Sequence, residues 1–165
     1  KWLLKVYDQM KTLGSDFEGN RVGLHIHTSK AAWTPSQIYK LMRFCYDPDH
    51  DHVLEGMYGR GETRHAQKRD AEYIEAVTVA RTGKNFTDED HYNKINMSTG
   101  TTIEFRMFKG TNSIERMFTY IDFVRALHEF TREYGLNAMT LGNFGRMVQS
   151  NPQYQSIRPY FTEVS

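Results

Sequence analysis

The sequence has very little cysteine: Cys45 is the only one among 165 residues. A single thiol cannot form an internal disulfide, and it cannot supply the several thiolates of a cysteine-rich zinc site. An unpaired cysteine agrees with a reducing compartment, so we expect a cytoplasmic protein.

Long apolar runs and a strong net charge are also missing. No apolar stretch has the length that a membrane-spanning helix needs. The net charge is +1 with the histidines neutral, which does not draw the chain as a whole to nucleic acid or to an anionic membrane. We therefore expect neither among its partners, and the function must follow from local groups of residues.

What the chain does have is the pattern of one α+β domain over residues 1–165. Apolar spacing predicts helices over about 2–12, 35–45, 51–58, 66–80 and 113–134. Thr34-Pro35-Ser36-Gln37 combines an N-cap, a proline at the first helical position and a glutamine at the third, as at the start of a helix. Helices of this kind would cover one face of a sheet.

Three strand-like segments are predicted at 21–28, 91–97 and 101–108. The last two form a hairpin, with Ser98-Thr99-Gly100 as its loop. In this register Asn96 lies opposite Thr102, Lys94 opposite Glu104 and Tyr92 opposite Arg106. We therefore predict an antiparallel sheet packed against helices.

Alternation along the strands places four chemically active side chains on one face of this sheet. In "GLHIHTS", His25 and His27 point away from the apolar Leu24 and Ile26. In "TTIEFRMF", Glu104 and Arg106 share a face in the same way. Imidazoles, a carboxylate and a guanidinium suit a site for a divalent cation and anionic oxygens. The alternative is an ordinary solvated sheet face.

These motifs resemble those of the amidoligases of the carboxylate-amine ligase superfamily, which share the fold of glutamine synthetase and glutamate-cysteine ligase. "GLHIHTS", "YNKIN" and "TIEFRMFKGT" carry the resemblance, which covers about residues 20–125. It implies a glutamine synthetase-like catalytic-domain fragment. The activity it implies is ATP-dependent amide formation between a carboxylate and an amine, through an acyl phosphate.

The resemblance also implies the role of each site residue. His25 and Glu104 would bind a shared Mg²⁺, and His27 and Ser29 would lie at the ATP phosphates. Arg106 would hold the carboxylate or its phosphorylated form.

Two further residues complete the predicted site. Lys94 is placed with the catalytic residues because of its predicted position opposite Glu104. The resemblance also implies a supplementary nucleotide contact at Arg60, in the glycine-rich "GMYGRGETRH", although by composition this stretch is typical of a flexible connector.

The family has an acidic Glu-x-Glu strand that supplies further metal ligands, and none precedes Gly23. The helical pattern begins at once with Lys1. We therefore expect the chain to be the C-terminal portion of a longer amidoligase-like polypeptide, with the residues before Lys1 as a partner. The substrates would be a carboxylate and an amine, with peptide or cell-wall derivatives as candidates.

Two other functions stay open. Relatives of this family are common in bacteriophages, so the chain could be a structural or assembly domain of a virion, or act in the cytoplasm of a bacterial host or phage-infected cell. A metal-dependent hydrolase using His25 and His27 as paired ligands would explain one motif but would leave "TIEFR" unexplained. The aspartates of "DPDHDH" lack the glycine and glutamate of a calcium loop and are typical of a turn.

Overall fold

The computed structural model describes residues 22–61 and 92–162, together with residues 5, 6, 8, 9, 12–14 and 66. The strands are β1 (Gly23–Ser29), β2 (Ile95–Asn96) and β3 (Thr102–Lys109), and the α-helices are α1 (Pro35–Cys45), α2 (Asp51–Tyr58), α3 (Ile114–Glu133) and α4 (Leu141–Ser150). Short 3-10 helices lie at Lys30–Ala32, Pro48–His50, Leu136–Ala138, Pro152–Tyr154 and Arg158–Tyr160. The chain is thus mixed α/β with an antiparallel sheet, as predicted.

Two predicted elements fall largely outside these residues. Within the helix predicted over 2–12, residues 5, 6, 8, 9 and 12 are helical, and the others lie outside the described part of the chain. The helix predicted over 66–80 can be tested only at Ala66, which is buried and lies in an isolated β-bridge. The prediction is therefore wrong at this residue, and residues 67–80 lie outside the described ones.

Local capping determines where the main helices begin. Gln37 N–H donates to Thr34 Oγ1 (3.2 Å) and Thr34 N–H donates to Gln37 Oε1 (3.0 Å), which is the predicted capping box at the start of α1. The side chain of Ser113 accepts from Arg116 N–H (3.1 Å) at the start of α3. Side-chain acceptors satisfy backbone N–H groups that have no partner inside the helix, so these starts could be predicted from local sequence.

The sheet has the order β1-β3-β2, and both pairings are antiparallel. The predicted hairpin is present, but its register differs from the prediction by two residues. Asn96 lies opposite Glu104 and Ile95 opposite Phe105, so the predicted pairing of Lys94 with Glu104 is wrong. A two-residue shift preserves the face of every side chain, because strand side chains alternate with a period of two.

Side chains around the hairpin loop explain the shift. Ser98 N–H donates to Asn96 Oδ1 (2.9 Å), closing a turn directly after β2. The ammonium of Lys30 donates to the carbonyls of Met97 (3.0 Å) and Thr99 (3.1 Å). The loop therefore extends further along the chain than the three residues that the sequence suggested.

A β-bulge interrupts the pairing of β1 with β3. Leu24 lies opposite Phe108 while Ile26 lies opposite Phe105, so β3 has one extra residue in this interval. The extra residue changes the alternation, so Phe108 does not share the face of Arg106 two residues before it: it is fully buried and stacks on Tyr120 (centroids 4.6 Å apart).

The core is rich in aromatic rings from β3, the helices and the C-terminal segment. Phe123 of α3 lies 5.8 Å from Phe144 of α4 and 6.3 Å from Phe161, centroid to centroid. Phe44 of α1 lies 5.5 Å from Phe130. These rings cover the apolar residues of the sheet and leave the other side chains of β1 at the surface. No helix in the described ranges is long and apolar enough to cross a membrane.

Candidate functional site

Glu104 is the centre of a group of polar side chains on the sheet. Its Oε1 lies 2.8 Å from His25 Nδ1 and 2.8 Å from Arg106 Nη1, and His27 Nε2 lies 3.7 Å away. The four residues come from β1 and β3, which pair directly, with His27 opposite Glu104. The prediction that these four side chains lie together is therefore confirmed.

Asn96 of β2 completes this group. Its Nδ2 donates to Glu104 Oε2 (2.7 Å), and its Oδ1 accepts from Ser98 N–H and from Ser98 Oγ (2.7 Å). Both the nitrogen and the oxygen of the Asn96 amide are therefore hydrogen-bonded, and this side chain connects the Glu104 carboxylate to the hairpin loop. The sequence had placed Asn96 on the correct face but opposite Thr102. The alternation thus predicted that Asn96 and Glu104 share a face, and only the two-residue error in register hid their contact.

Hydrogen bonding determines the tautomer of His25. An ionised carboxylate is an acceptor only, so His25 Nδ1 carries the proton that Glu104 accepts, and Nε2 presents a lone pair when the ring is neutral. Burial lowers the pKa of His25, the charges of Arg106 and Arg60 lower it further, and the Glu104 carboxylate opposes this only in part. His25 is therefore a neutral hydrogen-bond donor at pH 7.

Glu104 is an ionised carboxylate in a nearly buried position, with 5% of its surface exposed. Burial on its own raises the pKa of a carboxyl group. Here the hydrogen bond from Asn96 and the charge of Arg106 outweigh burial, and the pKa of Glu104 is lowered overall. The group is thus a prearranged charge network rather than a set of independent surface residues.

His27 and Ser29 follow His25 along the exposed face of β1, as the alternation predicted. The side chain of His27 is half exposed, and its Nδ1 lies 3.5 Å from Thr102 Oγ1. Ser29 is exposed at the end of β1, opposite Thr102. Both side chains are reachable from solvent beside the buried Glu104.

Arg60 lies at the bulge of β3. Its Nε donates to the carbonyl of Met107 (3.0 Å), and its Nη2 donates to the carbonyl of Arg106. A Cβ on Gly23 would lie only 2.9 Å from Arg60 Nη2, so the glycine of "GLHIH" leaves room for this guanidinium. Arg60 thus supports the backbone of Arg106, a role that the sequence did not reveal.

Lys94 does not join the group around Glu104. Its Nζ lies 3.6 Å from Asp51 Oδ1 and 5.6 Å from the centre of the Tyr58 ring, with the side chain 2% exposed. The chain bends at Lys94 just before β2, so its side chain does not continue the alternation of that strand. Its expected position beside Glu104 is corrected accordingly.

The described residues meet the needs of a Mg²⁺ ion only in part. His25 Nε2 and Glu104 are potential ligands, but Glu104 already accepts from Arg106 and Asn96, and Mg²⁺ prefers several oxygen ligands. Within the described ranges, no group of three or more histidine, cysteine, aspartate or glutamate side chains has the arrangement of a metal site. Further oxygen ligands would have to come from other residues or from substrate.

Comparisons with known proteins assign no class to this geometry. Neither the models of protein families, nor the curated proteins, nor the solved structures contain a match to this chain. The group around Glu104 and the motifs that supply it are therefore what points to a function.

Proposed function

We propose that this chain is an ATP-dependent carboxylate-amine ligase, or part of one, that forms an amide through an acyl phosphate. One observation carries the proposal. Two of the three motifs of the resemblance, "GLHIHTS" and "TIEFRMFKGT", converge on one oxygen: His25 Nδ1 and Arg106 Nη1 both lie 2.8 Å from Glu104 Oε1.

The charges of the group suit an anionic substrate. Arg106 lies against Glu104, and the charges of Arg106 and Arg60 both lower the pKa of His25, so two guanidinium groups flank the neutral imidazole. Arg106 would bind the substrate carboxylate and, after phosphoryl transfer, its acyl phosphate, because a guanidinium binds such groups with two parallel hydrogen bonds. Glu104 orients Arg106 for this role.

The exposed side of β1 would receive the nucleotide. His27 and Ser29 are accessible and lie along the strand from His25, in a position to donate to phosphate oxygens. Bound Mg²⁺ would supply electrostatic stabilisation of the transferring phosphoryl group. His25 would be its ligand through Nε2, held in that orientation by Glu104, as is common for ligating histidines.

The remaining parts of the proposal concern partners and location. A carboxylate and an amine are the substrates, with peptide or cell-wall derivatives as candidates, and polypeptide preceding Lys1 would supply further metal ligands. The protein would act in the cytoplasm of a bacterium or of a phage-infected cell. Lys94 has no part in this proposal, since it lies with Asp51.

A non-catalytic structural or assembly domain is the second candidate. The observation that favours it is the engagement of both oxygens of Glu104 by Arg106, His25 and Asn96. A network of this kind can stabilise a sheet surface without binding any substrate.

Arg106→Lys in the full-length protein tests the ligase against this alternative. A panel of carboxylates and amines is screened for ADP release that depends on both substrates. Lysine keeps the charge but not the planar two-pronged geometry, so we expect Arg106→Lys to lower kcat/KM by about 100-fold or more. The matched control is Arg132→Lys, in an exposed pair with Glu133 at 3.0 Å, which should leave activity unchanged.

Two results would count against the proposal. Full activity in Arg106→Lys would remove Arg106 from the site. The absence of ADP release across the panel in the folded full-length protein would favour the structural domain.

A further inference from the structure

A polar cavity lies at the far end of β3, apart from the group around Glu104. Its volume is about 360 Å³, and it is lined by Gly59, Lys109, Gly110, Thr111, Ser113, Arg116 and Tyr120. Lys109 is three residues beyond Arg106 in β3, a separation of roughly 10 Å along an extended strand. The cavity is therefore distinct from the group around Glu104.

Two positive charges line this cavity, and none of the described residues that line it is acidic. Among the ion pairs of the described residues, none involves Lys109 or Arg116. The cavity thus carries two positive charges that no ion pair among these residues neutralises. Such a surface attracts an anion.

Arg116 is held in a defined position by uncharged groups. Its Nε donates to Tyr120 Oη (3.0 Å), its Nη1 donates to Tyr160 Oη, and its guanidinium lies 5.3 and 5.5 Å from the centres of the two rings. Tyrosine hydroxyls orient the guanidinium without neutralising it, and Nη2 keeps its hydrogens for another acceptor.

Gly59 shows how closely the backbone approaches this free edge of Arg116. A Cβ at Gly59 would lie 2.8 Å from Arg116 Nη2, and the residue has a φ of +76° at the end of α2. Both the left-handed conformation and the lack of space favour glycine. The end of α2 therefore forms one wall of the cavity without displacing Arg116.

The backbone at the start of α3 does not explain the cavity. Ser113 Oγ accepts from Arg116 N–H (3.1 Å), and Thr111 Oγ1 accepts from Ser113 N–H (3.0 Å). These N–H groups already have partners, so the attraction for an anion comes from the two side-chain cations. A dianion would match the two charges, and the volume exceeds that of a phosphate ion alone, which leaves room for an attached organic group.

We propose that the cavity between Lys109 and Arg116 binds the phosphate group of a small phosphorylated molecule. Arg116 would donate from Nη2, and the ammonium of Lys109 would contact the same phosphate. This proposal does not depend on the ligase activity.

The test is a titration of the folded full-length protein with inorganic phosphate at constant ionic strength, followed by calorimetry and by backbone amide shifts. We expect saturable binding with shifts at Gly110 and Thr111. Lys109→Gln should weaken binding about tenfold, because one charge-assisted hydrogen bond is lost. Arg116→Lys should also weaken it, and this second variant keeps the charge. Arg146→Gln, an exposed residue of α4, is the control and should bind phosphate like the unmodified protein.

A second set of measurements distinguishes this cavity from the proposed ligase site, and inorganic phosphate from a phosphorylated organic molecule. Binding that persists in Arg106→Lys but weakens in Lys109→Gln supports the cavity, whereas the reverse pattern overturns the proposal. Glycerol 3-phosphate binding more tightly than inorganic phosphate supports a phosphorylated molecule, and equal or weaker binding overturns that part. Amide shifts that do not saturate with phosphate, and that are the same in the Lys109→Gln variant, would show that the cavity is not a phosphate site.

Discussion

At the scale of single residues, Glu104 shows how one carboxylate can organise a site. It accepts from His25, Arg106 and Asn96, so three side chains from three strands are oriented by two oxygens. A charge this deeply buried is costly unless it is paired, and each partner lowers that cost. The result is a protonated Nδ1 on His25 and a lone pair on Nε2.

The pKa of His25 should respond in opposite directions to its two charged neighbours. Glu104→Gln should lower it further, because the carboxylate that favours the imidazolium is lost while Arg106 and Arg60 remain. Arg106→Gln should raise it, because a nearby positive charge is removed. NMR titration of the imidazole in metal-free buffer measures both.

The lowered pKa of His25 also determines how the stability of the protein depends on pH. The folded pKa of His25 lies below its ordinary value of 6.5, so the unfolded chain binds the proton more readily. The contribution of His25 to the free energy of unfolding is complete above pH 6.5 and is lost as the pH falls below this value.

The titration of the Glu104→Gln variant also has a result that would contradict the structure. If this substitution left the pKa of His25 unchanged, the hydrogen bond between His25 and Glu104 would not exist in solution.

At the scale of elements, the bulge of β3 is the feature that orients Arg106. Two residues of β3, Arg106 and Met107, occupy the interval in which β1 has only His25. The carbonyls of this interval are bound by the guanidinium of Arg60. The backbone of the bulge is therefore held by Arg60, which follows α2, and Gly23 in β1 leaves room for its guanidinium.

Gly23→Ala tests this arrangement. The added Cβ would lie 2.9 Å from Arg60 Nη2, so the guanidinium must move and its bonds to the two carbonyls weaken. We expect the free energy of unfolding to fall by about 1–2 kcal/mol, measured by chemical denaturation.

Gly56→Ala is the matched control. It lies within α2, and a Cβ there meets no atom within 4 Å. Alanine in a helix interior should raise stability by about 0.5–1 kcal/mol. Equal changes in the two variants would contradict the role assigned to Gly23.

At the scale of the whole molecule, aromatic packing joins the sheet to the helices. Phe123 of α3 lies 5.8 Å from Tyr58, 6.3 Å from Phe108 and 5.8 Å from Phe144, centroid to centroid. Its ring therefore links α2, β3 and α4 through one fully buried position.

Phe123→Ala should lower the free energy of unfolding by about 3–5 kcal/mol, because the cavity that it leaves is enclosed by rigid rings. Phe118 provides the comparison on the same helix, since 49% of its surface is exposed. Phe118→Ala should change the stability by less than about 1 kcal/mol. Denaturant unfolding of the two variants measures the difference, and similar losses would show that Phe123 is not part of a tightly packed core.

Local features of the sequence predicted much of this structure. Thr34 and Gln37 marked the start of α1, because capping depends on residues that are neighbours along the chain. The two-residue period of strands predicted that His25, His27, Glu104 and Arg106 share a face. The start of a helix and the face of a strand side chain depend on the spacing of residues along the chain, which can be read from the sequence.

Only the tertiary structure decided which residues meet. The two-residue shift that brings Asn96 to Glu104 depends on Lys30 at the hairpin loop, and the bulge that buries Phe108 is supported by Arg60 from another element. The bend before β2 moves Lys94 from Glu104 to Asp51. Each of these outcomes depends on a side chain or a backbone bend that acts across elements. Spacing along one strand contains no information about such contacts, because a shift by two residues leaves its alternation unchanged.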